Sequence, residues 1–126
     1  MILVVDDEKA VREMATRMLT RSGFEVIEAC GGAEALQVLE SRTDVTVLLT
    51  DCNMPDVSGS DLARQVVQRW PHIAIVAMSG KPRSAEMPPE AGFIAKPFRA
   101  SALVALVQAH SNAWSFSATG NLPLSY

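Results

Sequence analysis

Val45-Thr46-Val47-Leu48-Leu49-Thr50-Asp51-Cys52-Asn53-Met54-Pro55-Asp56-Val57-Ser58-Gly59 is an apolar run that stops at an aspartate and gives way to a Pro- and Gly-punctuated loop. Such a run reads as a buried strand delivering a carboxylate to the mouth of a sheet, with a tight loop turning away from it. Asp51 is therefore the candidate reactive group, and the remaining elements are read by how they serve it.

Working outward, Ile2-Leu3-Val4-Val5 is a second apolar run without polar alternation, as expected of a central strand covered on both faces. It ends in Asp6-Asp7-Glu8. A central strand that begins at the second residue also fits a piece of a longer chain. From Glu8 to Ser22, Val11, Met14, Ala15, Met18 and Leu19 follow helical spacing, and Gly23 supplies a stop. Phe24 to Ala29 alternates as an edge-proximal strand, and Gly31-Gly32 breaks the chain before a helix over Ala33 to Glu40. Beyond Asp51, a helix from about Ser58 turns Leu62, Ala63, Val66, Val67 and Trp70 to one face, and Pro71 ends it. Ile73 to Met78 is another fully apolar strand, closed by Ser79-Gly80-Lys81. Phe93-Ile94-Ala95 ends at Lys96-Pro97, and a last helix covers Ala100 to His110 with Leu103, Leu106 and Val107 inward.

Alternating strands and helices predict an α/β, flavodoxin-like doubly wound fold with a five-stranded parallel sheet in the order 2-1-3-4-5. Ligands in such sheets bind beyond the carboxyl ends of the strands. The sheet thus brings Asp6, Asp7, Asp51, Ser79 and Lys96 toward one crevice.

Composition narrows the function. The 126 residues suit one domain with a real core, 48% hydrophobic and only 20% charged. A formal net charge of −3 with no basic run gives no reason to expect a nucleic-acid surface. No apolar stretch is long enough to span a membrane, and five apolar residues before Asp6 do not make a signal peptide. Cys30 and Cys52 lack metal or redox spacing and read as free thiols of a cytoplasmic protein. Met14, Met18 and Met78 read as core, and His72 and His110 as surface residues at element ends.

Three carboxylates in one pocket repel each other unless a cation sits among them. Oxygen-only ligands favour Mg²⁺, with Asp7 and Asp51 as direct ligands, Asp6 acting through water and the Asn53 backbone carbonyl completing the set. Lys96 offers a mobile charge and Ser79 a hydroxyl donor, while Gly80 leaves room beside them. Together these would stabilise a phosphoryl group carried on Asp51.

Val4-Val5-Asp6-Asp7-Glu8, Leu49 to Gly59, Met78-Ser79-Gly80 and Lys96-Pro97-Phe98 resemble, in order, the motifs of the response-regulator receiver domain of two-component signalling. The resemblance covers roughly residues 1–110. It implies phosphotransfer to Asp51 from the phosphohistidine of a histidine kinase or histidine phosphotransfer domain. It implies Mg²⁺ bound by Asp6, Asp7, Asp51 and the Asn53 carbonyl, with Ser79 and Lys96 gripping the phosphoryl oxygens. It further implies a cis Lys96-Pro97 bond, a switch pair in Ser79 and Phe93, and positions at Asn53 and Lys81 that tune dephosphorylation. Phe93 reads equally well as a static core residue.

The sequence departs from the family in two places. Pro82, Pro88 and Pro89 disfavour the usual fourth helix, so it is expected to be shortened or missing, with at most one turn over Ser84 to Met87. That feature resembles receivers attached to hybrid histidine kinases. Residues 111–126 carry no charged side chain and read as a flexible tail or linker, the alternative being that Trp114 and Phe116 cover apolar surface or pair two chains. The expected protein is a monomer or weak dimer that catalyses only its own phosphorylation and dephosphorylation and passes the signal to an output partner. Two other classes compete. A degenerate receiver would act only as a protein-binding module. A metal-dependent phosphohydrolase would need a general acid where Asn53 stands, and a substrate cap that the chain is too short to provide.

Overall fold

The computed structural model describes residues 1–80 and 87–119, with side chains through residue 111. Five strands form one parallel sheet in the order β2-β1-β3-β4-β5: β1 Ile2–Val5, β2 Val26–Ala29, β3 Val47–Asp51, β4 Ala74–Ser79 and β5 Gly92–Ala95. The expected order is the observed one. Four helices accompany the sheet among the described residues: α1 Lys9–Arg21, α2 Gly32–Ser41, α3 Gly59–Arg69 and α4 Ala100–Thr119.

The central strands are buried throughout because both sheet faces are covered. On one face Leu3, Val5, Leu48, Ile75 and Ala77 pack with Ala35 and Leu39 of α2 and Leu62, Ala63 and Val66 of α3. On the other, Ile2, Val4, Val47, Leu49, Val76 and Met78 pack with Ala15 and Leu19 of α1 and Leu103 and Val107 of α4. Alternate residues of each strand therefore feed two separate cores, as the period of two requires. No described helix is long and apolar enough to cross a membrane.

Several local expectations are corrected. Gly23, at φ 93°, donates to Thr20 and stops α1 as expected, but Phe24 also donates its N–H to the Leu19 carbonyl and closes α1 rather than beginning β2. The strand starts only at Val26. The last helix does not end at His110 but continues to Thr119, since no proline or glycine interrupts it before Gly120. His110 is not a surface residue. It is half-buried, its Nδ1 lies 3.0 Å from the Leu106 carbonyl, and its ring covers Gly92 so closely that an added Cβ there would stand 2.6 Å away. Met78 lies in the core, whereas Met14 and Met18 are half-buried. Among the described residues between β4 and β5, Met87 and Ala91 are buried against the α2–α3 face without forming a helix. Residues 81–86, which include Lys81, Pro82 and most of the expected turn, lie outside the described residues, as do residues 120–126 and the side chains of Trp114 and Phe116.

Candidate functional site

The carboxyl edge of the sheet gathers the polar strand ends. Parallel register sets β1 beside β3 and pairs Val5 with Thr50, so Asp6 and Asp51 are the next residues of adjacent strands. Asp51 pairs with Met78 and Ser79 with Ala95, which brings Lys96 just past the end of β5. The Lys96 N–H donates to the Ser79 carbonyl at 2.7 Å, and the Lys96-Pro97 peptide is cis, as the resemblance implied.

Lys96 Nζ lies 3.0 Å from both Asp6 Oδ2 and Asp51 Oδ1. This ammonium bridges two carboxylates that are almost entirely buried, with side-chain exposures of 0% for Asp6 and 8% for Asp51. Asp7 is exposed, and one carboxylate oxygen from each of Asp6, Asp7 and Asp51 lies within 4.8 Å of the others. No other such acidic group occurs among the described residues. Burial pushes the Asp51 carboxyl above its usual range. Lys96 opposes that shift, while the charges of Asp6 and Asp7 add to it. Burial pulls the Lys96 ammonium down, but its hydrogen bonds and charge contacts with Asp6 and Asp51 raise it overall. Among the described residues the pocket is net anionic, with one lysine partly compensating three acids.

That donor set fits a hard divalent cation: the candidate ligands are oxygens, and the excess negative charge disfavours leaving the pocket to the lysine alone. Ser79, 2% exposed, and Asp51 both lie at this edge, while the side chain of Asn53 is exposed on the loop that follows β3. Phe93 is half-buried against the α2–α3 face of the core. Neither Cys30 nor Cys52 forms a disulfide.

Two features of the site were not legible in the sequence. Arg12 of α1 donates from Nη1 to the Asp6 carbonyl at 2.7 Å and from Nε to Glu28 of β2 at 3.2 Å, tying the acidic turn to the neighbouring strand. Its position in an otherwise ordinary helix gave no signal. The second is Gly59, the first residue of α3, where an added Cβ would collide with the Asp51 carbonyl oxygen and crowd the Cys52 Cα to 2.7 Å. The obstacle is backbone and cannot swing aside. Gly59→Ala is therefore expected to destabilise the fold by about 2 kcal/mol or more, read as a lower urea midpoint with an unchanged slope.

Comparison with known proteins agrees with this geometry. The response regulator receiver domain model matches residues 2–108. The chain belongs to the receiver domain family. It is 34% identical over 113 residues to the sensor kinase CckA of Brucella abortus, a match covering 85% of this chain but 12% of that protein. It is 38% identical over 89 residues to the chemotaxis protein CheY1 of Helicobacter pylori, covering 68% of this chain and 72% of that one. The crystal structure of the receiver domain of the hybrid histidine kinase CckA superposes with a TM-score of 0.76 at 31% identity, covering 87% of this chain and 97% of that one. A receiver domain protein from Clostridium thermocellum gives a TM-score of 0.85 at 27% identity, covering 92% and 97%. This receiver domain is thus a component of two-component signalling, with likenesses to both a kinase-borne and a CheY-type receiver.

Proposed function

We propose that this receiver is a phosphoacceptor switch that takes a phosphoryl group onto Asp51 from a histidine kinase or a histidine phosphotransfer domain. The observation that carries the reading is the Lys96 bridge between Asp6 and Asp51 at the sheet edge, with Asp7 beside it. A carboxylate nucleophile must be ionised, and burial raises the Asp51 carboxyl and so disfavours that form. The Lys96 ammonium favours the ionised form and is within reach of a phosphoryl oxygen that arrives on Asp51.

Mg²⁺, held by Asp6, Asp7, Asp51 and the Asn53 carbonyl, would offset the negative charge of the phosphoryl oxygens. In the transfer, an Asp51 carboxylate oxygen forms a bond to phosphorus as the donor's P–N bond breaks. The electron pair stays on the imidazole, which takes a proton from solvent. Lys96 and the Ser79 hydroxyl then contact the phosphoryl oxygens, and Phe93 turns inward as Ser79 moves. Water attack on phosphorus releases phosphate and restores Asp51, so the only chemistry is on the domain itself. The output passes to a protein partner in the cytoplasm.

The test is incubation with a phosphorylated histidine phosphotransfer protein, and separately with acetyl phosphate, each with and without Mg²⁺, followed by intact-mass analysis. One phosphoryl adduct that depends on Mg²⁺ is expected. No adduct from any donor would leave a protein-binding module in place of the switch, and steady turnover of phosphomonoesters would point to a hydrolase.

A further inference from the structure

The loop between β3 and α3 is closed at its base, where the Gly59 N–H donates to the Cys52 carbonyl at 3.0 Å. Between these ends Met54 is buried, while Asn53, Pro55 and Asp56 are exposed. What seats the outer part of the loop is a contact with a different element. Asp56 Oδ1 accepts from the Gly32 N–H at 3.3 Å, and Oδ2 accepts from the Ala33 N–H at 3.0 Å. Helix α2 has no cap of its own, because its N-cap residue is Gly31 and no side chain there bonds the first turn. The loop thus supplies the missing cap, where a carboxylate also meets the positive end of the helix dipole. Backbone donors, Ala33 first and then Val57 of the loop itself, with Gly32 adding less, hold the Asp56 carboxyl below its usual range. The neighbouring loop residue is seated too: a Cβ on Gly32 would stand 2.5 Å from Val57 Cβ.

We propose that Asp56 is a positioning residue for divalent-cation binding, docking the β3–α3 loop on α2 so that the Asn53 carbonyl is held beside Asp51. This rests on the Mg²⁺ reading above. Asn53 and Asp56 are separated only by buried Met54 and the restricted Pro55, so the seat at Asp56 limits where the Asn53 carbonyl can lie. Groups that orient a metal's ligands commonly matter to affinity almost as much as the ligands themselves.

The test is calorimetric titration of the full chain with MgCl₂, together with amide hydrogen exchange of the metal-free protein. Asp56→Ala is expected to weaken Mg²⁺ binding about tenfold. Asp56→Asn, which keeps one acceptor for α2, is expected to recover part of that loss. Exchange in Asp56→Ala should quicken at Asn53, Gly32 and Ala33 while β1, β3 and α1 keep their protection. Wild-type affinity in Asp56→Ala overturns the proposal, as does a loss that Asp56→Asn does not recover or that accompanies faster exchange throughout the domain. Failure of the wild-type protein to bind Mg²⁺ would instead overturn the cation reading itself, and this proposal with it.

Discussion

Asp51→Asn is expected to abolish phosphoryl uptake while making the metal-free protein more stable. The first effect follows from chemistry, since a neutral amide in the same space is no longer an anionic nucleophile. The second follows from electrostatics. Asp51 is buried beside Asp6 and near Asp7, and its carboxyl lies above the usual range because burial, and then those charges, disfavour ionisation. A folded-state pKa above the unfolded one means that the native state binds more protons between the two values. Stability therefore rises as pH falls through that window and is lowest when Asp51 is fully ionised. Removing the charge removes the penalty at neutral pH. Thermal unfolding without Mg²⁺ should show Asp51→Asn melting a few degrees higher at pH 7, with the difference shrinking toward pH 4. An active site that stores electrostatic strain in this way is a familiar trade of stability for function. A variant that is both inert and less stable would contradict this account of the pocket.

Lys96→Ala should act in the opposite direction and more strongly. The ammonium bonds both buried carboxylates, and truncation leaves Asp6 and Asp51 facing each other without it. Breaking a buried ion pair from one side costs several kcal/mol, because the remaining charge stays desolvated. A loss of about 3 kcal/mol at pH 7 is expected, on the order of 10 °C in Tm for a chain of this length. The sign of the pH dependence is diagnostic. Without Lys96 the Asp51 carboxyl rises further, so acidification, which neutralises it, should restore part of the lost stability. Adding millimolar Mg²⁺ at pH 7 should do the same by mass action. Equal destabilisation at every pH would mean that Lys96 matters for packing rather than for charge.

The sheet was largely legible in the sequence because its central strands are continuous apolar runs. Leu48, Leu49, Ile75 and Val76 have cores on both sides, and nothing in their spelling competes with a strand. Strand order then follows from the handedness and length of the crossovers, and it brings Asp6, Asp51, Ser79 and Lys96 together without further information. Errors arose where a residue has two possible allegiances. Phe24 is apolar and alternates with its neighbours, yet its N–H is committed to closing α1. Helix α4 was expected to stop at His110, but no proline or glycine interrupts it before Gly120 and it runs to Thr119.

What the sequence hid were contacts between residues of ordinary type on different elements. Arg12 reaches the Asp6 carbonyl and Glu28, and Asp56 reaches an amide 24 residues away in sequence. Neither carries a local signal, since an exposed loop aspartate and a helix arginine are commonplace. Only the parallel register that sets β1 beside β2 and β3, and the absence of a side-chain cap on α2, give them partners. The Lys96 bridge spans 90 residues to Asp6 and 45 to Asp51; the strand before Lys96 and Pro97-Phe98 after it brought the lysine to this edge, but not its pairing with the two acids.

The central claim is that Asp51, and no other acid in the pocket, carries the phosphoryl group. An acyl phosphate is reduced by borohydride to an alcohol, which turns a phosphorylated aspartate into homoserine and leaves ordinary carboxylates untouched. Phosphorylation with acetyl phosphate and Mg²⁺, borohydride reduction, proteolysis and tandem mass spectrometry should find homoserine at position 51 alone. Homoserine at Asp6 or Asp7, or a peptide spanning residues 45–59 unchanged despite a phosphoryl adduct on the intact protein, would contradict it.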